Sequence, residues 1–599
     1  MAPTVIDARN LEFLLYEQFG VESLTEHAPF TDHSRETFDL ALATAHKLGR
    51  EVLWPPFREM DQEPPVLIDG RVRVHPSIRA LLRECGQGGW INADVPVAHG
   101  GLQIPRTVMT AFRAILAAAN YSTSVFPALT AGAAHLLASF GAEELGALYL
   151  PKMYAGEWQG TMALTEPQAG SSLSDIRTRA TPTTEGHYLI HGQKIFISAA
   201  RHDQAENGVN LLLARIDGAP AGVKGISLFV VPDRRPTDSG LVDNDVTCTS
   251  VYHKVGYRGA PITQLSLGDA GDCRGWLVGQ PHSGLRYMFQ MMNEARIEVG
   301  LGATAIASAA YHAALDYARH RPQGRPITSK DPAQAQVPII EHADVKRMLL
   351  FQRAVVEGSL SLVLQCTHYS DLAQTLQGDA RERCELLLDL LTPAAKSYPA
   401  EQAILAVSQG LQCLGGYGYC ADFALEQYYR DVRIHTIHEG TTGIQALDLL
   451  GRKVVRDGGK AMFLFLDEVG TSISEARGVA GLGAHAAQLQ AALDRLTAVT
   501  QHLTGLALEG KIDLFLADAT LYLEVFGTVA VAWQWLRQAM TAERGLERDP
   551  SEADARFYRS KLSAFRFFFA YELPKVEGPA ARLLDSDGLT LKTEEELFA

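Results

Sequence analysis

Residues 187–198 read HYLIHGQKIFIS, and the architecture turns on them. β-Branched and aromatic residues dominate, and the helical spacing of the preceding segment is gone. Similar short runs follow: VNLLLARI (209–216), GISLFVV (225–231), VTCTSVYHKVGYRG (246–259) and ITQLSLGD (262–269), with Gly and Pro between them. Together they predict a small β domain in mid-chain. Within the first run, Phe196 and Ser198 alternate with Ile195 and Ile197, so simple alternation puts them on one strand face.

Outward from this core the pattern is helical. Residues 34–53 have helical apolar spacing, stopped by Pro55–Pro56, and further helices run to about 160. Residues 114–142 hold no Asp, Glu, Lys or Arg, yet they contain Asn120, Pro127, His135 and several hydroxyls. The reading is two buried helices broken near Tyr121–Pro127, not a membrane span. Downstream, 285–321, 342–373 and 390–416 each read as a long helix, the last ending at glycines. Residues 441–455 start a fourth, with Thr441 as N-cap. These four suggest a bundle. Gly458–Gly459 break the chain, and 471–599 are helical again and acidic on balance. The expected class is α+β, mostly α. Its domains are an N-terminal helical domain (1–160), a small β-barrel (161–280), a four-helix bundle (281–458) and an additional C-terminal helical domain (470–599).

The chain of 599 residues is 47% apolar and 21% charged, with a formal charge of −15. That balance disfavours nucleic acid and anionic membrane surfaces as partners. Its seven cysteines form no CxxC pair, which points to a reducing, cytoplasmic setting. The start, MAPTVIDARNLEFLLYEQFG, lacks a secretory signal's basic end and apolar run.

Several stretches could carry chemistry. LTEPQAGSS (164–172) joins a stiff turn to the hydroxyls of Thr165 and Ser171, and it suits a loop over a planar polar ligand. Phe196 with Ser198 could back a ring system. RHRPQGR (319–325) ends a helix with cations that could hold a pyrophosphate. LQCLGGYGYC (411–420) offers a Gly–Gly backbone to a phosphate but is not a P-loop. Two G-x-G-x-x-A runs, at 300–305 and 481–486, follow no predicted strand and do not read as dinucleotide fingerprints. IHEGTTGIQ (437–445) holds one carboxylate, Glu439, among small and hydroxyl residues. The order H-x-x-H-E fits neither common zinc motif, so no metal is expected.

Taken together and in this order, TEPQAGS, GQKIFIS and IHEGTTGIQ resemble the acyl-CoA dehydrogenase flavoenzymes over roughly residues 80–455. FLLYE (13–17), the length and the extra helical domain are similar to the branch that includes the 3-methylmercaptopropionyl-CoA dehydrogenases. The resemblance implies FAD as cofactor, an acyl-CoA substrate, electron-transfer flavoprotein as acceptor and a homodimer or dimer of dimers. It implies fatty-acid β-oxidation chemistry, with Glu439 as catalytic base. Leu164, Thr165 and Ser171 would meet the flavin or the pantetheine arm, with Phe196 and Ser198 beside the ring. Arg321 and Gln323, with Gln412, Gly415 and Gly416, would meet a dinucleotide across a dimer interface. Thr441 would reach the ribityl–phosphate part, Arg296 would lie near the CoA entrance, and Gly440 would border the substrate. His438 replaces a Tyr common in the family, and Gly443 replaces a Gln. An oxygen-using oxidase and a non-catalytic DNA-binding flavoprotein share the fold as alternatives.

Overall fold

The computed structural model describes residues 3–329 and 331–599. HYLIHGQKIFIS forms a strand, Tyr188–Ser198, whose two halves have different neighbours. The first half pairs with Arg179–Pro182 on one side and Arg274–Val278 on the other. Arg274–Val278 continues to Ile226–Pro232, then Asn207–Ile216, which returns in parallel to Arg179–Pro182. These pairings close a ring, the expected small barrel. The second half pairs instead with Ile262–Leu267, and Val246–Val251 lies beyond it. Trp158–Ala163 joins Asn207–Ile216 in parallel, so the expected boundary at 160 falls inside a strand. It is buried along nearly its whole length and offers no alternation to read.

The apolar stretch becomes two helices, Arg106–Ala119 and Tyr121–Phe140. Asn120 makes the break: its backbone is extended, and its side chain accepts from Thr123 N–H and donates to the Leu53 carbonyl at 3.1 Å. Pro127 does not break the second helix but lies within it. A proline removes one helical donor, and burial of Phe126 and Thr130 carries the helix through. Tyr121–Phe140 and Ala343–Thr375 are long and apolar enough to cross a membrane by composition; the apolar window of the second is 89% buried inside the protein.

Three long helices, Gly284–His320, Ala343–Thr375 and Gly378–Leu414, form the body of the bundle. The third begins ahead of the expected 390 and runs through Pro393 and Pro399. The fourth member is shorter: Thr442–Asp448, continued by a wide turn at Leu449–Lys453. Ala519–Glu547 of the last domain packs on the bundle, donating from Trp535 Nε1 to the Ala354 carbonyl at 3.0 Å. Gly358 makes room: a Cβ there would lie 2.6 Å from Trp535 Nε1. One continuous apolar core runs from Ile6 to Leu583. The chain breaks at Asp457–Gly459, all left-handed, and the next helix is Lys460–Arg477, so the expected boundary at 470 falls within a helix. All seven cysteines are free, and six are buried.

Candidate active site

Three domains converge on Glu439. From the β domain comes the loop after Val251, where Gly256 lies so close to the Leu425–Val432 helix that a Cβ would meet the Arg430 carbonyl carbon at 2.2 Å. Its Tyr257 ring lies 5.1 Å from Tyr121, at the start of the N-terminal domain's apolar helix. Tyr121 lies 4.7 Å from His435, and His435 lies 5.3 Å from His438. The aromatic ladder ends at the catalytic candidate.

The backbone there is unusual. Glu439 is left-handed (φ 54°), and so is Gly440 (φ 88°). A non-glycine residue in that region stores about 1–3 kcal/mol of strain. Gln445, fully buried, holds the turn by donating to the Glu439 carbonyl at 2.9 Å. Thr441 then caps Thr442–Asp448, its hydroxyl accepting from Ile444 N–H at 3.3 Å. Among the described residues the Glu439 N–H meets no acceptor. The residue as a whole is half-buried. Burial pushes its carboxyl above the ordinary range, with Arg296 and then Lys396 pulling it back. Burial also keeps both histidines neutral, His435 at about 3 and His438 well below the imidazole norm.

Arg296, expected near the CoA entrance, is buried, bound to Asp448 at 2.8 Å and to Asn293 at 3.3 Å. Its Nε has no partner. Hydropathy patterns alone cannot reveal such a position, because an arginine in a long helix ordinarily faces water.

The two middle-domain motifs are one structure. Lys194, from GQKIFIS, is wholly buried and donates to Glu166 at 2.9 Å and to the Leu164 carbonyl at 3.0 Å. The Ile195 N–H donates to the Thr165 carbonyl at 2.9 Å. Burial lowers Lys194 to about 8. Glu166 is pushed up by burial, yet Lys194 and the N–H groups of Arg177 and Thr178 hold it below the usual range. Neither partner was singled out in the sequence; their shared clue is a charge inside each motif. Leu164 and Thr165 are half-buried and Ser171 is exposed.

Phe196 and Ser198 are not on one face by simple alternation. Thr263 pairs with Ile197 and Leu265 with Lys194, so Ile195 and Phe196 together oppose Gln264 in a bulge. Phe196 is left-handed (φ 57°), 57% exposed, and packs 5.0 Å from Tyr252. Ser198 is half-buried. An aromatic ring strained outward is an open platform for a flat ligand.

The remaining candidates form a second surface. The Arg321 guanidinium lies 5.8 Å from the Tyr417 ring, which follows Gly415 and Gly416. Gln323 is held by its main chain, to Val337 at 3.0 Å and His342 at 2.7 Å. Gln412 is exposed, and a Cβ on Gly415 or Gly416 would meet nothing within 4 Å. Among the described residues no hydrogen bond, ion pair or ring contact joins this surface to Phe196 or Glu439.

Comparison with known proteins now decides the family. Residues 40–157, 161–270 and 282–454 match the N-terminal, middle and C-terminal domains described for acyl-CoA dehydrogenases, and 465–594 match an acetyl-CoA dehydrogenase C-terminal-like domain. The chain is 38% identical over 577 residues to the 3-methylmercaptopropionyl-CoA dehydrogenase of Ruegeria pomeroyi, covering 95% of this chain and 97% of that protein. The chain belongs to the acyl-CoA dehydrogenase family. It is also 32% identical to the broad-specificity linear acyl-CoA dehydrogenase FadE5 of Mycobacterium tuberculosis, covering 99% of each. The fold matches an acyl-CoA dehydrogenase from Bacillus anthracis solved with FAD (TM-score 0.73, 21% identity, covering 96% of this chain and 92% of that one). It matches Caenorhabditis elegans ACDH-11 solved with C11-CoA equally well (TM-score 0.73, 19% identity, covering 99% and 97%). Acyl-CoA dehydrogenases are FAD-dependent oxidoreductases, and so is this chain.

Proposed function

We propose that this chain desaturates an acyl-CoA thioester between its α and β carbons, with Glu439 as the base. One observation carries the reading: Glu439, half-buried as a residue, stands on a strained left-handed turn with its own N–H unspent.

The carboxylate takes the α-proton, forming its O–H as the C–H bond breaks. An ordinary glutamate, near 4.3, is a weak base for a carbon acid. The upward push of burial narrows that gap. The unspent N–H is assigned to the thioester oxygen, where a donor is worth roughly 2.7–4 kcal/mol as enolate charge develops. Gly440 accommodates the turn that lets one residue supply both groups, and it borders the substrate.

The residues present fit FAD. The exposed Phe196 platform and the uncrowded Gly415–Gly416 backbone are the features a flat ring and a phosphate need. Leu164, Thr165, Ser171, Phe196, Ser198 and Thr441 would hold its flavin half. Bound FAD supplies the acceptor for the β-hydride. Arg321, Gln323, Gln412, Gly415 and Gly416 would hold the dinucleotide of a second subunit's FAD. Their exposure and their lack of a link to Glu439 support a homodimer. Electrons then pass to electron-transfer flavoprotein, in a cytoplasmic β-oxidation step.

Anaerobic mixing with a panel of acyl-CoA thioesters tests this. Wild-type holoenzyme bleaches. Glu439→Gln keeps its FAD and bleaches on the order of 10²–10⁴-fold more slowly. Bleaching by Glu439→Gln at the wild-type rate would remove Glu439 from the role.

A further inference from the structure

Four lysines are buried among the described residues: Lys194, Lys396, Lys453 and Lys561, none more than 1% exposed. Three are spent on carboxylates. Lys194 binds Glu166 at 2.9 Å, Lys453 binds Asp389 at 2.8 Å, and Lys561 binds Glu357 at 2.6 Å. The Lys396 ammonium makes no hydrogen bond. A buried ammonium without an acceptor is costly, so its retention calls for a use.

Its location supplies one. Gly300 and Arg296 are four residues apart on the Gly284–His320 helix and share a face. At Gly300 that helix touches Gly378–Leu414 so closely that a Cβ would lie 1.9 Å from the Ala395 carbonyl and 3.3 Å from Lys396 Cα. Lys396 is therefore pinned on the face that Arg296 shares, its helix is tied to the Glu439 turn by the bond between Glu401 and Thr442, and the opposite charges that act on it are Glu401 and then Glu439. Glu401 is exposed and bonded to the Thr442 hydroxyl.

The other groups around Glu439 leave this charge uncompensated. Arg296 is bound to Asp448, which also holds Arg452 at 2.6 Å. Glu298, on the same helix as Arg296, is paired with Arg113 at 3.2 Å. Tyr121 approaches from the N-terminal helix as a neutral phenol, and His435 and His438 are neutral imidazoles.

We infer that Lys396 is a positioning residue for the base: its buried, unpartnered ammonium holds the Glu439 carboxylate ionised in apolar surroundings. This rests on the reading of Glu439 as base. Burial sets Lys396 near 8, so it is cationic through the neutral range.

The test compares wild type, Lys396→Met, Lys396→Arg and Glu439→Gln, each loaded with FAD, with Lys396→Gln replacing the Met variant where that variant does not load. The first readout is the pH profile of anaerobic bleaching by octanoyl-CoA. Loss of a nearby cation moves the acidic limb of Lys396→Met upward by about one pH unit or more, while Lys396→Arg keeps the wild-type profile. The second readout needs no turnover: melting temperature from pH 5 to 7.5, below the lysine's own transition. In Lys396→Met the folded-state carboxyl rises further above its unfolded value. Stability is then lost as pH rises through it, and this extra loss vanishes when Glu439→Gln is added. An unmoved acidic limb with melting shifts that simply add overturns the inference and leaves the base in place. Bleaching by Glu439→Gln at the wild-type rate overturns the base itself.

Discussion

The seam that attaches the last domain and the pocket around Glu439 each bury a lysine and use it differently. At the seam, Lys561 binds Glu357 at 2.6 Å and Asn10 at 2.8 Å, and it lies 5.0 Å from the Phe13 and Trp535 rings. Arg353 binds the same Glu357 at 2.6 Å. Every charge there has a local partner, and together they tie the N-terminal segment, the bundle and the last domain into one body. In the pocket, Lys396 has no bonded partner, Arg296 keeps an idle Nε, and Glu439 keeps an idle N–H. A satisfied network holds the fold; an unsatisfied one leaves polar capacity for a ligand.

The comparison predicts that damage at the two places reads differently. Glu357→Ala strands Lys561 and costs the seam about 3–5 kcal/mol, seen as a fall in melting temperature and early proteolysis within 460–599. The apolar double replacement Glu357→Leu with Lys561→Met recovers most of that loss. Lys194→Met strands Glu166 at a cost of about 3 kcal/mol, partly relieved by the Arg177 and Thr178 N–H groups. FAD content falls with it, because the Thr165 loop loosens. Gly440→Ala acts on the pocket: the position has φ 88°, and a Cβ would lie 2.6 Å from Gln445 Nε2. Strain of about 1–3 kcal/mol displaces the Glu439 turn, and bleaching slows up to about 100-fold, with a smaller fall in melting temperature than that of Glu357→Ala. Thr441→Ala removes the helix cap and costs about 1 kcal/mol, read as a small fall in melting temperature. A Gly440→Ala protein that lost stability but bleached normally would erase the contrast.

Much of the fold was legible because it is written in periodicity. Tyr188–Ser198 and Gly284–His320 lie within a residue of their expected limits. What stayed hidden depends on partners distant in sequence. Arg274–Val278 is short and only partly buried, and Trp158–Ala163 is short and buried against another strand, so nothing local marks them. The outward thrust of Phe196 comes from a bulge set by its neighbour strand, not from its own alternation. Glu439 could be singled out from the small residues around it, but its left-handed turn could not. Arg296 was singled out by resemblance alone, and nothing local marked Lys396; the packing of two helices buries both.

Proton removal can be separated from hydride transfer. Holoenzyme with its flavin reduced beforehand cannot accept a hydride, yet the base can still exchange the α-hydrogens of bound octanoyl-CoA with solvent. In D₂O, mass spectrometry of the recovered thioester should show deuterium at the α-carbon with wild type and essentially none with Glu439→Gln. Equal deuterium from both proteins would contradict the assignment of Glu439 as the base.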